Sequence, residues 1–206
     1  MYIVLEHPLA EHRMTMMRDQ NTPPKIFREL VNEVTTFLAY EALKDIRTER
    51  VEVVTPVAAT TGLRIADDVV VVPILRAGMG MLNSMLEILP SAKVGVLGIQ
   101  RNEETAEPVP YYSKVPPAKA EELAVVIDPM LATGGSACDA VAELKKFGYR
   151  RIKFLSLVSA PEGIARFERE HPDVPVYTAA RDERLNSSFY IVPGLGDAGD
   201  RIFGTL

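Results

Sequence analysis

The run Val125-Val126-Ile127-Asp128-Pro129-Met130-Leu131-Ala132-Thr133-Gly134-Gly135-Ser136 carries the strongest chemical signal in the chain. An apolar stretch ends at a carboxylate, passes through small residues and opens into a segment of helical character. A turn of that kind points backbone N–H groups and the positive end of a helix dipole at whatever it encloses, which is how a phosphate monoester is held. Thr133 and Ser136 add hydroxyl donors, while Gly134 and Gly135 let the main chain approach an anion closely. Asp128, at the end of the apolar stretch, can reach the hydroxyls of a sugar whose phosphate the loop grips, so the pattern suits a phosphorylated ribose. A plain strand-turn-helix corner would use Asp128 only as a turn former. A nucleotide P-loop would end in Gly-Lys-Ser/Thr, and here Ser136 follows Gly135 directly.

Further candidates lie elsewhere. Arg76 stands just past an apolar run in Pro73-Ile74-Leu75-Arg76-Ala77-Gly78, where it can donate two parallel hydrogen bonds to a diphosphate, with Gly78 leaving the backbone free to crowd the anion. Arg101 closes another apolar run that ends at Gln100. The stretch Gly194-Leu195-Gly196-Asp197-Ala198-Gly199 fits G-x-G-x-x-G letter for letter, but a dinucleotide fingerprint needs a following helix and an acid about 20 positions on. Only seven residues follow Gly199. His7, His12 and His171 show no metal-ligand spacing with cysteine or acid, so surface or structural roles are expected. Met14, Met16 and Met17 are expected to pack.

These residues need a scaffold. At 206 residues, 47% hydrophobic and 25% charged, the chain is expected to fold as one domain over 1–206. Four continuous apolar, β-branched runs read as buried strands: Val69–Pro73, Val94–Ile99, Leu123–Ile127 and Ile152–Val158. Helical stretches separate several of them: Met81–Leu89 before Pro90, Ser136–Phe147 before Gly148, and Pro161–Glu170 ahead of Pro172. An earlier amphipathic helix, with Ile26, Leu30, Val34, Phe37 and Leu38 on one stripe, is expected to start after a Thr22 cap and run to about Leu43. The fold class is therefore α/β, a mainly parallel central sheet flanked by helices. Between Arg101 and Glu121 the prolines break this rhythm and predict a hairpin arm. The glycine-rich segment 181–206 is too apolar for a loose tail and must be held down.

The net charge of −5 argues against a protein that coats nucleic acid. No apolar run approaches the roughly 18 residues that span a bilayer, and the N-terminus does not read as a secretory signal, so no membrane partner is expected. Cys138 is the only cysteine, which excludes an intrachain disulfide and a thiolate zinc cluster and fits a reducing cytoplasm.

From Asp128 to Ser136 the sequence resembles the phosphoribosyl-pyrophosphate loop of the type I phosphoribosyltransferases, in the wording of the uracil phosphoribosyltransferase family. The segment 73–78 is similar to that family's pyrophosphate loop, Gln100-Arg101 to its second arginine, and Tyr190–Asp200 to its uracil-binding segment. Likeness extends from about His7, through His12–Thr22 and Pro161-Glu162-Gly163, to Gly204. Many phosphoribosyltransferases have two adjacent acids where this chain has Asp128-Pro129; the uracil branch has the proline.

The resemblance implies conversion of uracil and 5-phosphoribosyl 1-pyrophosphate to uridine monophosphate (UMP) and diphosphate. It implies catalytic roles for Arg76, Asp128 and Asp197. Phosphoribosyl pyrophosphate would be bound by Arg76, Arg101, Asp128, Pro129, Met130, Leu131, Ala132, Thr133, Gly134, Gly135, Ser136 and Asp197. Uracil would meet Ile191, Gly196, Asp197 and Ala198, main-chain groups matching its acceptor-donor-acceptor edge, with Phe189 or Tyr190 stacking nearby or simply packing. It further implies a base-binding hood over 181–206, Mg2+ bound mainly through substrate and water rather than by direct protein ligands, a cis Leu75-Arg76 peptide, and a homodimer or higher oligomer. Some relatives respond to GTP as an effector; the sequence does not say whether this chain does. Competing readings are a pyrimidine-regulatory RNA-binding protein on the same fold, a non-catalytic nucleotide sensor, and a transferase for another base.

Overall fold

The computed structural model of the protein describes residues 1–101 and 108–205. Its first half runs β1 (Tyr2–Val4), α1 (Pro8–Arg18), α2 (Pro24–Ala42), β2 (Thr48–Val54), β3 (Ala59–Ile65), β4 (Val69–Leu75), α3 (Met79–Ile88), β5 (Lys93–Val94) and β6 (Val96–Arg101). The second half runs β7 (Pro108–Lys114), β8 (Leu123–Ile127), β9 (Met130–Leu131), α4 (Gly135–Lys146), β10 (Arg151–Ser159), α5 (Pro161–Glu170), β11 (Val176–Arg181), β12 (Arg184–Leu185), β13 (Ile191–Val192) and α6 (Ala198–Phe203).

The main sheet has the order β1-β11-β10-β8-β4-β6-β7 and is parallel except for the β6–β7 pair. This is the expected mainly parallel sheet. The apolar runs are continuous because both faces are covered. In β4, Val69 and Val71 pack on one side with Leu123, Val125 and Ile127 of β8 and with residues of α2 and α3. Val70, Val72 and Ile74 pack on the other with Ala124, Val126 and residues of α4 and α5. Successive side chains alternate across a strand, so a half-polar strand here would bury unpaired polar groups.

Strand register sets the functional end of the molecule. Val69 lies opposite Leu123 and Pro73 opposite Ile127, so β8 ends beside Pro73 and β4 runs two residues further, to Leu75. Arg76 and Asp128 thus each follow the carboxyl end of one of two adjacent strands. Ligands gather at this carboxyl edge in open α/β sheets.

Several details differ from the sequence reading. Thr22 does not cap α2: the N-cap is Pro23, without a side-chain bond, and the Thr22 hydroxyl donates to Met16 O at 2.7 Å. The Val94–Ile99 run is two strands split at Gly95, whose N–H donates to Val71 O. β7 does return antiparallel to β6, while residues 102–107 of the expected arm lie outside the described part. A separate hairpin, β2–β3, was not foreseen. At its base, burial pushes the Asp67 carboxyl up, but hydrogen bonds from Arg151 and Arg47 outweigh this and hold it below the ordinary carboxylate range. No helix among the described residues is long and apolar enough to cross a membrane.

Candidate active site

The sheet's carboxyl edge opens into a cavity of about 680 Å³. Its walls come from three places. The β4 end gives Leu75, Arg76 and Ala77; the β8 end and loop give Asp128, Met130, Ala132 and Ser136; the C-terminal segment gives Phe189, Tyr190 and Gly196–Gly199. Ile99 and Tyr111 close it from β6 and β7.

Asp128 sits where the strand carbonyl ladder ends. Burial pushes its carboxyl up to about 7, opposed by a hydrogen bond from the Met130 N–H. Beyond it the loop turns away from the sheet. Pro129 O accepts from Leu157 and Val158 N–H groups, and Leu131 O from Ala160 N–H, so these two residues fasten the loop to β10 rather than line the cavity. Thr133, Gly134 and Gly135 also form no part of the wall, although Thr133 Oγ1 accepts from Gly135 N–H at 3.5 Å. Among the described residues the N–H groups of Ala132, Thr133, Gly134 and Ser136 have no hydrogen-bond acceptor. Four unpaired donors at the start of a twelve-residue helix form an anion nest. Gly134 makes the turn at φ 79°, a left-handed value that glycine adopts without cost.

The loop rests on α5. A Cβ on Gly163 would lie 2.4 Å from Ala132 O and 2.7 Å from Leu131 O, so only glycine fits beneath it. That is a physical reason for the Pro161-Glu162-Gly163 resemblance. Glu162 Oε1 accepts from Leu185 N–H at 3.0 Å and ties α5 to the C-terminal hood.

Arg76 lines the cavity with its side chain 58% exposed, and the Leu75-Arg76 peptide is cis, as the resemblance implied. Gly78 has a different place from the one expected. An added Cβ would meet Ile127 O at 2.5 Å and Ile74 O at 2.6 Å, so its small size serves strand-end packing, not anion approach. The Arg101 backbone ends β6, and its side chain lies outside the described part of the structure.

In the hood, Asn186 Oδ1 accepts from the N–H groups of Ser188 and Tyr190, a turn that presents Phe189 and Tyr190 to the cavity. Ile191 is buried and pairs with Leu185, with no part in the wall. Gly196, Asp197 and Ala198 do line it. Among the described residues, Gly196 N–H and C=O and Ala198 N–H have no hydrogen-bond partner. Asp197 caps α6, its Oδ1 accepting from Asp200 N–H at 2.9 Å. The glycine-rich stretch thus does run into a helix, but one of six residues, without the βαβ setting of a dinucleotide site.

Three residues that position this hood escaped the sequence reading. Arg18 donates to both Asp182 oxygens, at 2.8 and 2.6 Å, and to Gly194 O at 2.7 Å, while Gly194 N–H donates to Asp182 at 2.7 Å. Buried Arg201 donates to Met17 O, Leu195 O and Asp19 O and lies 4.3 Å from the Phe27 ring centroid. Sequence gave no signal for them: Arg18 adjoins Asp19, Asp182 lies within the charged run Arg181-Asp182-Glu183-Arg184, and Arg201 follows Asp200.

The remaining histidine and methionine expectations divide. His7 caps α1 through Leu9 N–H and stacks on Phe37, and Met14 and Met17 enter the core while Met16 stays exposed. The fold does bring Cys138, Glu170 and His171 together, with ligand atoms within 4.8 Å, although their spacing in sequence gave no such sign. Both His171 ring nitrogens are engaged there, Nε2 with Cys138 O and Nδ1 with Lys145 Nζ.

Known proteins share this arrangement. The family model described as Uracil phosphoribosyltransferase matches residues 4–205. The uracil phosphoribosyltransferase of Dictyoglomus thermophilum is 53% identical over 207 residues, covering 100% of both chains. A solved structure of a protein from Aquifex aeolicus superposes with a TM-score of 0.94 at 43% identity, over 98% of each chain. Adenine phosphoribosyltransferase from Trypanosoma brucei, solved with AMP, pyrophosphate and ribose-5-phosphate, shares the fold alone, with a TM-score of 0.58 at 12% identity over 87% of this chain and 83% of its own. The chain belongs to the uracil phosphoribosyltransferase family.

Proposed function

We propose that the protein transfers the phosphoribosyl group of 5-phosphoribosyl 1-pyrophosphate to N1 of uracil, releasing diphosphate and forming UMP. One observation carries this: a single cavity is bordered by the two ends of the N–H nest, Ala132 and Ser136, by a desolvated carboxylate, and by main-chain groups of the hood that are unpaired among the described residues. The nest suits the 5′-phosphate. Asp128 orients the ribose hydroxyls, and Arg76, with Arg101, clamps the diphosphate. The bond from the anomeric carbon to the diphosphate oxygen breaks, the diphosphate leaving with the electron pair; charge builds on the ribose ring, the N1 bond forms and N1 gives up its proton to water in the cavity. Asp197 is the hood carboxylate beside the base, and the main chain of Gly196 and Ala198 reads its edge. A base with the wrong donor pattern would leave buried polar groups unpaired.

The donor set fits magnesium: Asp128, whose one hydrogen-bond donor among the described residues is the Met130 N–H, would help to hold a hard cation carried in with the substrate. Such an ion, bound mainly through substrate and water, would neutralise the charge of the leaving group. Tyr111 on β7 reaches the cavity, which supports a water-excluding role for the arm over 101–121. Shortening the arm's tip should raise hydrolysis of the activated sugar relative to transfer, and an unchanged ratio removes that role.

Purified protein incubated with phosphoribosyl pyrophosphate, magnesium and each of uracil, cytosine, adenine and hypoxanthine tests the assignment. UMP and diphosphate in equal amounts, with uracil alone, are expected. Product from another base in preference to uracil overturns it.

A further inference from the structure

We infer that Asp200 is a positioning residue for Arg76, setting how this arginine meets the diphosphate. The inference rests on the transferase reading above and extends it to a residue outside the cavity wall. Arg76 is long, more than half exposed, and makes one hydrogen bond among the described residues, from Nη2 to Asp200 Oδ1 at 3.1 Å. The same Oδ1 accepts from Thr205 Oγ1 at 2.5 Å, and the Asp200 N–H is held by the capping carboxylate of Asp197. The hydrogen bond from Thr205, with that from Arg76, keeps the Asp200 carboxyl below its ordinary value. Asp200 is therefore anchored from two sides before the arginine reaches it.

Phe203, one turn along α6, adds its ring 5.7 Å from the Arg76 guanidinium carbon. Between them the two α6 residues fix the guanidinium at one nitrogen and one face. Nε and Nη1 make no hydrogen bond among the described residues and are left as donors for the ligand. An unanchored arginine carries rotamer entropy that must be lost when it binds an anion. Anchoring removes part of that cost in advance, which is the energetic content of pre-organisation.

The alternative is that Asp200 competes with the diphosphate for Arg76, or only supports the first turn of α6. A double-mutant cycle separates these. Asp200→Ala, Arg76→Ala and the double variant are compared for KM and kcat with phosphoribosyl pyrophosphate varied, alongside KM for uracil and thermal stability. Asp200→Ala is expected to raise KM for phosphoribosyl pyrophosphate about tenfold while moving KM for uracil little, and to have no further effect once Arg76 is alanine. If Asp200→Ala does not fold, Asp200→Asn, which keeps a polar first turn in α6, carries the same cycle. A KM that falls or stays unchanged, or an equal effect in the Arg76→Ala background, overturns the inference while leaving a wild type that forms UMP in place. A wild type that forms no UMP overturns the transferase reading and this inference with it.

Discussion

Burial pushes the Asp128 carboxyl up to about 7 from an ordinary 3.8, so between those two pH values the unliganded protein holds a proton there that the unfolded chain has already lost. A raised folded value means the stability contribution is complete below the unfolded pKa and fades as pH rises through the folded one. Asp128→Asn should therefore raise the melting temperature more at pH 8 than at pH 5.5, while transfer falls by about 100-fold or more. Scanning calorimetry at the two pH values checks the first part, and an equal shift at both would contradict it. Ribose hydroxyls favour the ionised carboxylate, so affinity for phosphoribosyl pyrophosphate should grow as pH rises through about 7, with proton release measurable by titration calorimetry in buffers of different ionisation enthalpy. Arg201 makes a structural prediction at the same scale. Its removal strips a charged donor from three main-chain carbonyls, so Arg201→Ala should cost about 3 kcal/mol in urea unfolding, and a loss under 1 kcal/mol would contradict the clamp. Much of the site was legible because chemistry and sequence order coincide between Asp128 and Ser136. Arg18, Asp182 and Arg201 were not, since their partners are main-chain groups and side chains up to 184 residues away.

The loop after β8 is shaped from below by α5. Gly163→Ala places a Cβ into the carbonyls of Leu131 and Ala132, and Leu131 O cannot retreat without breaking its hydrogen bond from Ala160 N–H at the end of β10. The variant should lose affinity for phosphoribosyl pyrophosphate by about tenfold or more and lose about 1–3 kcal/mol of stability, as read by steady-state kinetics and denaturation. Wild-type kinetics would show that the contact is slack. The buried strands β4, β8 and β10 and the helices α3 to α5 were readable because a strand covered on both faces must be apolar throughout and each helix has a local stop. β1, β11 and α1 were not, being short or weakly patterned. The β2–β3 hairpin escaped for another reason: it mixes charge with exposed apolar residues, a pattern that this chain's own core does not impose.

That hairpin exposes Val54 at 85%, Val57 at 94% and Leu63 at 70%, well beyond what an isolated surface needs. The resemblance implies a homodimer or higher oligomer, and this exposed apolar hairpin is where its interface is expected. Val54→Asp combined with Leu63→Asp should move the protein towards monomer in sedimentation velocity, and an unchanged mass would place the interface elsewhere. At the scale of the whole molecule, two parts meet at one sheet edge: the loop after β8, proposed to hold phosphate and sugar, and the hood, proposed to hold the base. A crystal structure with UMP bound tests that most directly. The 5′-phosphate is expected on the N–H groups between Ala132 and Ser136, the ribose hydroxyls on Asp128 and the uracil edge on Gly196 and Ala198. UMP density lying elsewhere, with this cavity empty, would contradict the account.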